Sequence, residues 1–335
     1  MKITIATGIY PPEIGGPAEY ARQLLLALSE KNHKVSVVTY GRLKKFPTGL
    51  RHALYFFKLC FRAISSDYII ALDTFSVGLP AVIFAKLFGK KIVIRVAGDF
   101  LWESFVERTK QDILLSDFYK FSRDYSVKES LIFLMTRLAL RMSSVVVFST
   151  KWQEDIMTIP YKLDGRRNRI VENFYALPET ARPKTDGKKV FLSPSRNIHI
   201  KNKRNLALAF AKVQKNHPEI VLETNTIPHD FLLEEISGSY AVMVVSFSEV
   251  SPNMVFDALR KGVPVIVTKD TGVHDKLKDV AVFADPFSVN DIASSIETLL
   301  NPSVYNEYLK KISEMSISHS WDEIAEEFLK IYTNK

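Results

Sequence analysis

The chain has 335 residues, 47% of them apolar, which is enough for two cores of ordinary domain size and more than one core usually holds. Its single cysteine, Cys60, excludes a disulfide framework and a thiolate zinc cluster and fits a reducing cytosol, and no run approaches the roughly 18 apolar residues of a spanning helix. The formal net charge of +8 favours anionic partners without choosing among nucleic acid, anionic lipid and a phosphorylated substrate.

The opening MKITIAT reads as a strand and lacks the charged and apolar regions of a signal peptide, so a cytoplasmic protein is expected, soluble or lying on the inner face of a membrane. Short β-branched runs then alternate with helical patterns. Strands are predicted over 3–7, 34–39, 68–72, 92–96 and 145–149, with helices over 18–30, 50–64, 77–88 and 127–142. Such alternation argues for an α/β architecture with a parallel, helix-covered sheet. The helix over 50–64 and the turn before it combine Arg42, Lys44, Lys45, Arg51, Lys58 and Arg62 with Leu54, Phe56, Phe57, Leu59 and Phe61. That composition suits an anionic membrane surface, and equally a core-facing helix with a basic outer face.

The polar interval LPETARPKTDGKK has no periodicity and reads as a linker over 176–188. Alternation restarts after it, with strands over 190–193, 220–223, 241–246 and 263–268, a helix over 204–216 and another after Pro252, and a last helix over 312–332. Two stretches carry chemistry. In FLSPSRNIHIKNKRNLALAF, a strand leads into a loop with Arg196, Lys201, Lys203 and Arg204, a plausible diphosphate clamp because guanidinium and ammonium donors to phosphate are charge-assisted. The bland alternative is a solvated basic loop. In SFSEVSPNMVFDALRKGVPVIV, a strand ends before Glu249, Pro252 suits the first helical turn, and the amides of Asn253 and Met254 with the carboxylate of Asp257 follow. Acids there also serve as ordinary helix caps.

Together these stretches resemble glycosyltransferase family 4. Arg196 and Lys201 stand at the family's spacing, with Asn202 where the family has glycine. Glu249 and Asp257 match its glutamate pair, the second one methylene shorter, and DALRKGVPVIV matches its continuation. YPPEIGGPAEYARQLLLALSEKNHKVSVVT looks like its N-terminal glycine loop and first helix. The resemblance implies a GT-B fold: two Rossmann-like domains with parallel sheets facing each other across a cleft. An N-terminal acceptor-side domain is expected over 1–175, a donor domain over 189–314, and a C-terminal helix near 315–335 packing back on the first domain.

It also implies a retaining transferase of hexosyl type, moving a sugar from a nucleoside-diphosphate sugar to an acceptor hydroxyl on a glycan or lipid-linked intermediate, as in surface polysaccharide or glycolipid synthesis. Arg196 and Lys201 would hold the diphosphate, Glu249 the sugar and Asp257 the ribose, while Gly15 and Gly16 let backbone approach the donor. The family often has a histidine where this chain has Ala97, and Asp99 is the candidate replacement. His229, in TIPHDF, falls in a loop that in the family approaches the base. No Asp-x-Asp pair occurs, so neither a metal nor a cofactor is expected. Two other readings stand beside this one: a sugar-nucleotide epimerase or hydrolase on the same fold, and a basic nucleic-acid binder, for which aromatics interleaved with cations on one face would be needed.

Overall fold

The computed structural model describes all residues except 14, 180–186, 228, 334 and 335, and the side chains of 48, 229 and 230. In chain order the elements begin β1 (Lys2–Thr7), α1 (Gly16–Glu30), β2 (Lys34–Thr39), α2 (Thr48–Ala63), β3 (Tyr68–Ala71), α3 (Gly78–Leu87), β4 (Lys91–Val96), α4 (Phe100–Thr109), α5 (Leu115–Phe118), α6 (Val127–Met142), β5 (Val145–Phe148), α7 (Lys151–Thr158) and β6 (Asn168–Ile170). They continue β7 (Lys189–Leu192), α8 (Lys203–Gln214), β8 (Ile220–Glu223), α9 (His229–Gly238), β9 (Ala241–Val244), α10 (Asn253–Arg260), β10 (Val265–Thr268), α11 (His274–Leu277), β11 (Ala281–Ala284), α12 (Val289–Leu300), α13 (Pro302–Ser313) and α14 (Trp321–Thr333).

Two compact units result. The first comprises Met1–Leu101, Arg123–Asn173 and His319–Lys335, and the second Trp102–Ser122 and Phe174–Ser318. The sheet of the first unit has the order β2-β1-β3-β4-β5-β6 and that of the second β11-β10-β9-β7-β8, with every strand pair parallel. The α/β architecture with two parallel sheets is therefore as expected. The sequences of central strands explain it: YIIA in β3 and AVMV in β9 are buried at every position, the run of a strand covered on both faces, whereas the edge strand β2, KVSVVT, is largely open.

Helix ends follow local chemistry. A reciprocal box starts α6, in which Glu129 N–H donates to Ser126 Oγ while Ser126 N–H donates to the Glu129 carboxylate. The continuous helix expected over 312–332 is instead two helices separated by residues 314–320. A second such box breaks it, because Ser320 N–H donates to Glu323 Oε2 and Glu323 N–H to Ser320 Oγ, which fixes a helix start at SWDE. In the first unit α14 packs on α1, with the Trp321 and Tyr20 rings edge to face at 5.0 Å. Within the second unit, Glu179 from the polar interval is anchored to Arg260 Nε at 2.7 Å and Lys261 Nζ at 2.6 Å.

Candidate functional site

In the second unit, the candidate residues follow the carboxyl ends of β7 and β9, adjacent strands of one sheet. The Lys201 ammonium meets the Glu249 carboxylate, Nζ to Oε1, at 2.6 Å, both side chains partly buried. Backbone fixes each partner. Lys201 ends a 3₁₀ turn, His199–Lys201, and is followed by Asn202 at φ 51°, a left-handed conformation that glycine adopts most easily. Asparagine is held there by its own amide, which donates to the Val245 carbonyl at 3.0 Å and the Pro286 carbonyl at 2.7 Å. Glu249 is clamped from the other side, its N–H donating to the Asp270 carbonyl and its carbonyl accepting from Gly272 N–H, each at 3.0 Å. Beneath it, Ser248 Oγ bonds the Asp270 carboxylate and accepts from Leu115 N–H at 2.7 Å.

Pro252 is the residue capping α10, so the helix begins at Asn253, with Met254 in its first turn. Asn253 is exposed, while Met254 and Asp257 are partly buried. Helix N-termini of this kind attract anions because the first N–H groups lack intrahelical acceptors. Of the four cations in the basic loop, Arg196 is exposed and makes no ion pair among the described residues. Lys203 Nζ donates to the Thr224 carbonyl at 3.2 Å, and Arg204 lines a polar cavity of about 310 Å³ with Glu107, Lys110, Asp112 and His199. His199 Nε2 lies 2.8 Å from Asp112 Oδ1, and its N–H donates to Glu107.

Asp99 and the two glycines belong to the first unit. Asp99 is buried in the turn after β4. Burial, and secondarily the Asp99 carboxylate, push the Tyr125 hydroxyl up to about 12. Gly15 has φ 148° and ψ 156° and caps α1, a conformation that side chains rarely adopt, and Gly16 is the first helical residue. His229 opens α9, and its side chain lies outside the described residues. Among the described residues, no group of three or more His, Cys, Asp or Glu is placed to hold a metal ion.

The site therefore gathers Lys201 and Glu249 in contact, with the α10 residues following on from the Glu249 loop. Sequence reading missed Asn202 as an anchor and the segment from Glu107 to Leu115, which supplies partners to His199 and Ser248. The offset glycine-like position of Asn202 was a usable signal; the second was not, since it joins residues far apart in sequence.

No family model and no curated protein sequence matches the chain. Solved structures do. Sucrose-phosphate synthase from Thermosynechococcus elongatus aligns over 99% of this chain and 98% of its own at 15% identity and a TM-score of 0.72. Anabaena HepE, solved in complex with UDP, aligns over 98% and 99% at 12% identity and a TM-score of 0.65. WaaG, a glycosyltransferase involved in lipopolysaccharide biosynthesis, aligns over the whole of both chains at 11% identity and a TM-score of 0.67. The fold is GT-B. Identities this low establish the architecture, with its two parallel sheets of six and five strands, and leave the chemistry to the residues.

Proposed function

We propose that this GT-B protein is a retaining glycosyltransferase of the family 4 type, moving a hexosyl group from a nucleoside-diphosphate sugar to an acceptor hydroxyl. The observation that carries the reading is the Lys201–Glu249 contact at the ends of β7 and β9, in the loops that also present Arg196 and the start of α10. That Anabaena HepE was solved with UDP supports a nucleotide-sugar donor.

The chemistry follows from charge. As the glycosidic bond breaks, the diphosphate gains negative charge, and fixed donors aimed at it stabilise that state more than the ground state. Lys201 has three N–H groups, so it can keep Glu249 and still donate to phosphate. Arg196 and the amides of Asn253 and Met254 add donors from the loop and the helix N-terminus. Glu249, an acceptor held in place through its backbone, bonds hydroxyls of the donor sugar, and Asp257 those of the ribose. No metal or cofactor enters this scheme, and the roles of His229, Asp99, Gly15 and Gly16 rest on the resemblance. A glycan or a lipid-linked intermediate supplies the acceptor hydroxyl, and the second would bring the protein to an anionic membrane.

The test is incubation with UDP-, GDP- and ADP-sugars, after a thermal-shift screen of the free nucleotides selects the base. Nucleotide release that depends on added acceptor, with product of unchanged anomeric configuration, supports the reading. Release independent of acceptor indicates a hydrolase, and stabilisation by nucleic acid but by no nucleotide removes the donor site altogether.

A further inference from the structure

The helix α2 carries two apolar stripes. Tyr55, Leu59 and Ala63, four residues apart, are wholly buried, and Tyr55 Oη donates to the Val38 carbonyl at 2.7 Å, which ties the helix to the first sheet. Leu50, Ala53, Phe57, Phe61 and Ile64, at spacings of three and four, all face solvent, Phe57 with 57% and Phe61 with 84% of its surface exposed. The neighbouring α3 repeats the arrangement: Ile83 and Leu87, one turn apart, are exposed, Leu87 at 68%, with Phe88 beside them. An apolar groove of about 310 Å³ runs between the helices, lined by Phe56, Phe57, Leu79, Pro80 and Ile83. Core packing explains the first stripe and leaves the second unexplained, since contiguous exposed apolar patches mark interaction surfaces.

Charge identifies the occupant. No acidic residue occurs in 41–66 or 74–98, the stretches that form this face, while Arg42, Lys45, Arg62 and Lys86 are exposed there. Glu13 reaches the edge of this face and pairs with Lys44 at 3.0 Å, which leaves the other four cations unneutralised; two copies of the face would bring those together, which disfavours self-association. Long cationic side chains can lie along apolar surface with their charged ends in the headgroup layer. We infer that the α2–α3 face docks on an anionic lipid bilayer, with Phe57, Phe61 and Leu87 entering the headgroup–acyl boundary and the four cations meeting lipid phosphates. The inference deepens the lipid-linked branch of the proposed function. Its test uses no sugar nucleotide, so each can fail without the other.

The protein is sedimented with phosphatidylcholine vesicles and with vesicles containing about one third phosphatidylglycerol, at low and high salt. Binding to the anionic vesicles that weakens with salt is expected. The double variant Phe61→Ser/Leu87→Ser, both positions being open to solvent, is expected to lower the partition coefficient about tenfold or more with an unchanged melting curve. Arg62→Glu/Lys86→Glu is expected to do the same by charge alone, and stands as the second measurement should the apolar variant not fold. No binding to anionic vesicles, equal binding to neutral ones, or parent-like binding by both variants overturns the proposal. So does a concentration-dependent dimer, without lipid binding, that the apolar variant abolishes.

Discussion

Two clusters of polar side chains stand at carboxyl ends of parallel strands, one in each sheet, and they differ in what covers them. In the first unit, Arg95 near the end of β4 is buried, donates to Ser149 after β5 at 3.1 Å and to Asn173 after β6, and lies with its guanidinium 3.9 Å from the centre of the Tyr20 ring of α1. Asn173 in turn offers its carbonyl to His319 Nδ1 at 3.1 Å, and His319 Nε2 lies 3.4 Å from Glu327 of α14. In the second unit, Lys201 and Glu249 have each other, and Arg196 remains exposed. The same strand-end position is thus closed over by protein groups in the first unit and stays partly exposed in the second, where the proposed donor site lies.

Removing the partly exposed cluster should have the largest effect. Arg196→Ala and Lys201→Ala are each expected to lower turnover by about 10²–10³ and to weaken binding of the free nucleoside diphosphate, since each removes a fixed donor to the developing anion. Arg196→Ala, at an exposed position, should shift stability by no more than about 0.5 kcal/mol. Glu249→Ala should behave differently: turnover falls while affinity for the nucleotide, which lacks the sugar, changes little. Steady-state kinetics and calorimetric titration check all three, and transfer at near the parent rate by every variant would place the donor site elsewhere.

Truncating the covered arginine should do the reverse. Arg95→Leu leaves Ser149 and Asn173 without a charged donor inside the first unit, and lost bonds to charged groups cost about 1.5–3 kcal/mol each. A loss of about 3 kcal/mol is expected, read as a melting temperature roughly 5–10 °C lower. Denaturation by urea measures it. A variant as stable as the parent would mean that burial of Arg95 matches no real constraint, and that the two clusters are alike after all.

This contrast also marks what could be read from sequence. Nine of the eleven strands and half of the fourteen α-helices described were legible, the strands because buried β-branched runs such as KIVIRV and AVMV stand out between turn signals. Lys201 and Glu249 were legible because their loops follow such strands. The short β6, NRI, was not, since three residues with a polar start carry no period, and neither were α4, α5, α7, α9, α11, α12 and α13 or the strand β11 singled out. The role of Arg95 was equally hidden. Its covering groups, Tyr20, Asn173 and the segment around His319, are remote in sequence, and no local pattern predicts such a meeting.

A smaller effect tests how the open cluster is positioned. Asn202 combines a left-handed backbone with two bonds from its amide, to Val245 and Pro286. Asn202→Ala loses both bonds and retains the unfavourable conformation, together about 2–3 kcal/mol. Asn202→Gly loses the bonds and relieves the conformation, so it should be the milder change by about 1 kcal/mol. Comparison of denaturation midpoints decides the order. Alanine milder than glycine would show that backbone conformation is not what the position selects.

The smallest effect expected lies at the rim of the covered cluster and depends on pH. Burial alone would lower the His319 pKa, but the bond to Glu327, the Asn173 carbonyl and the nearby Glu172 outweigh it and hold the value above that of a free histidine. A group whose folded pKa is raised stabilises the protein fully below its unfolded value, near 6.5, and loses that contribution as pH rises through the folded value. His319→Gln keeps a side chain of similar reach without the titrating charge. The stability gap between parent and variant should therefore be widest at mildly acidic pH and should narrow on the alkaline side, a change smaller than that of either Asn202 variant. Urea midpoints for both proteins across this range measure it. A gap that widens toward alkaline pH would mean that the imidazole is held neutral, with burial outweighing the pull of Glu327 and of the Asn173 carbonyl.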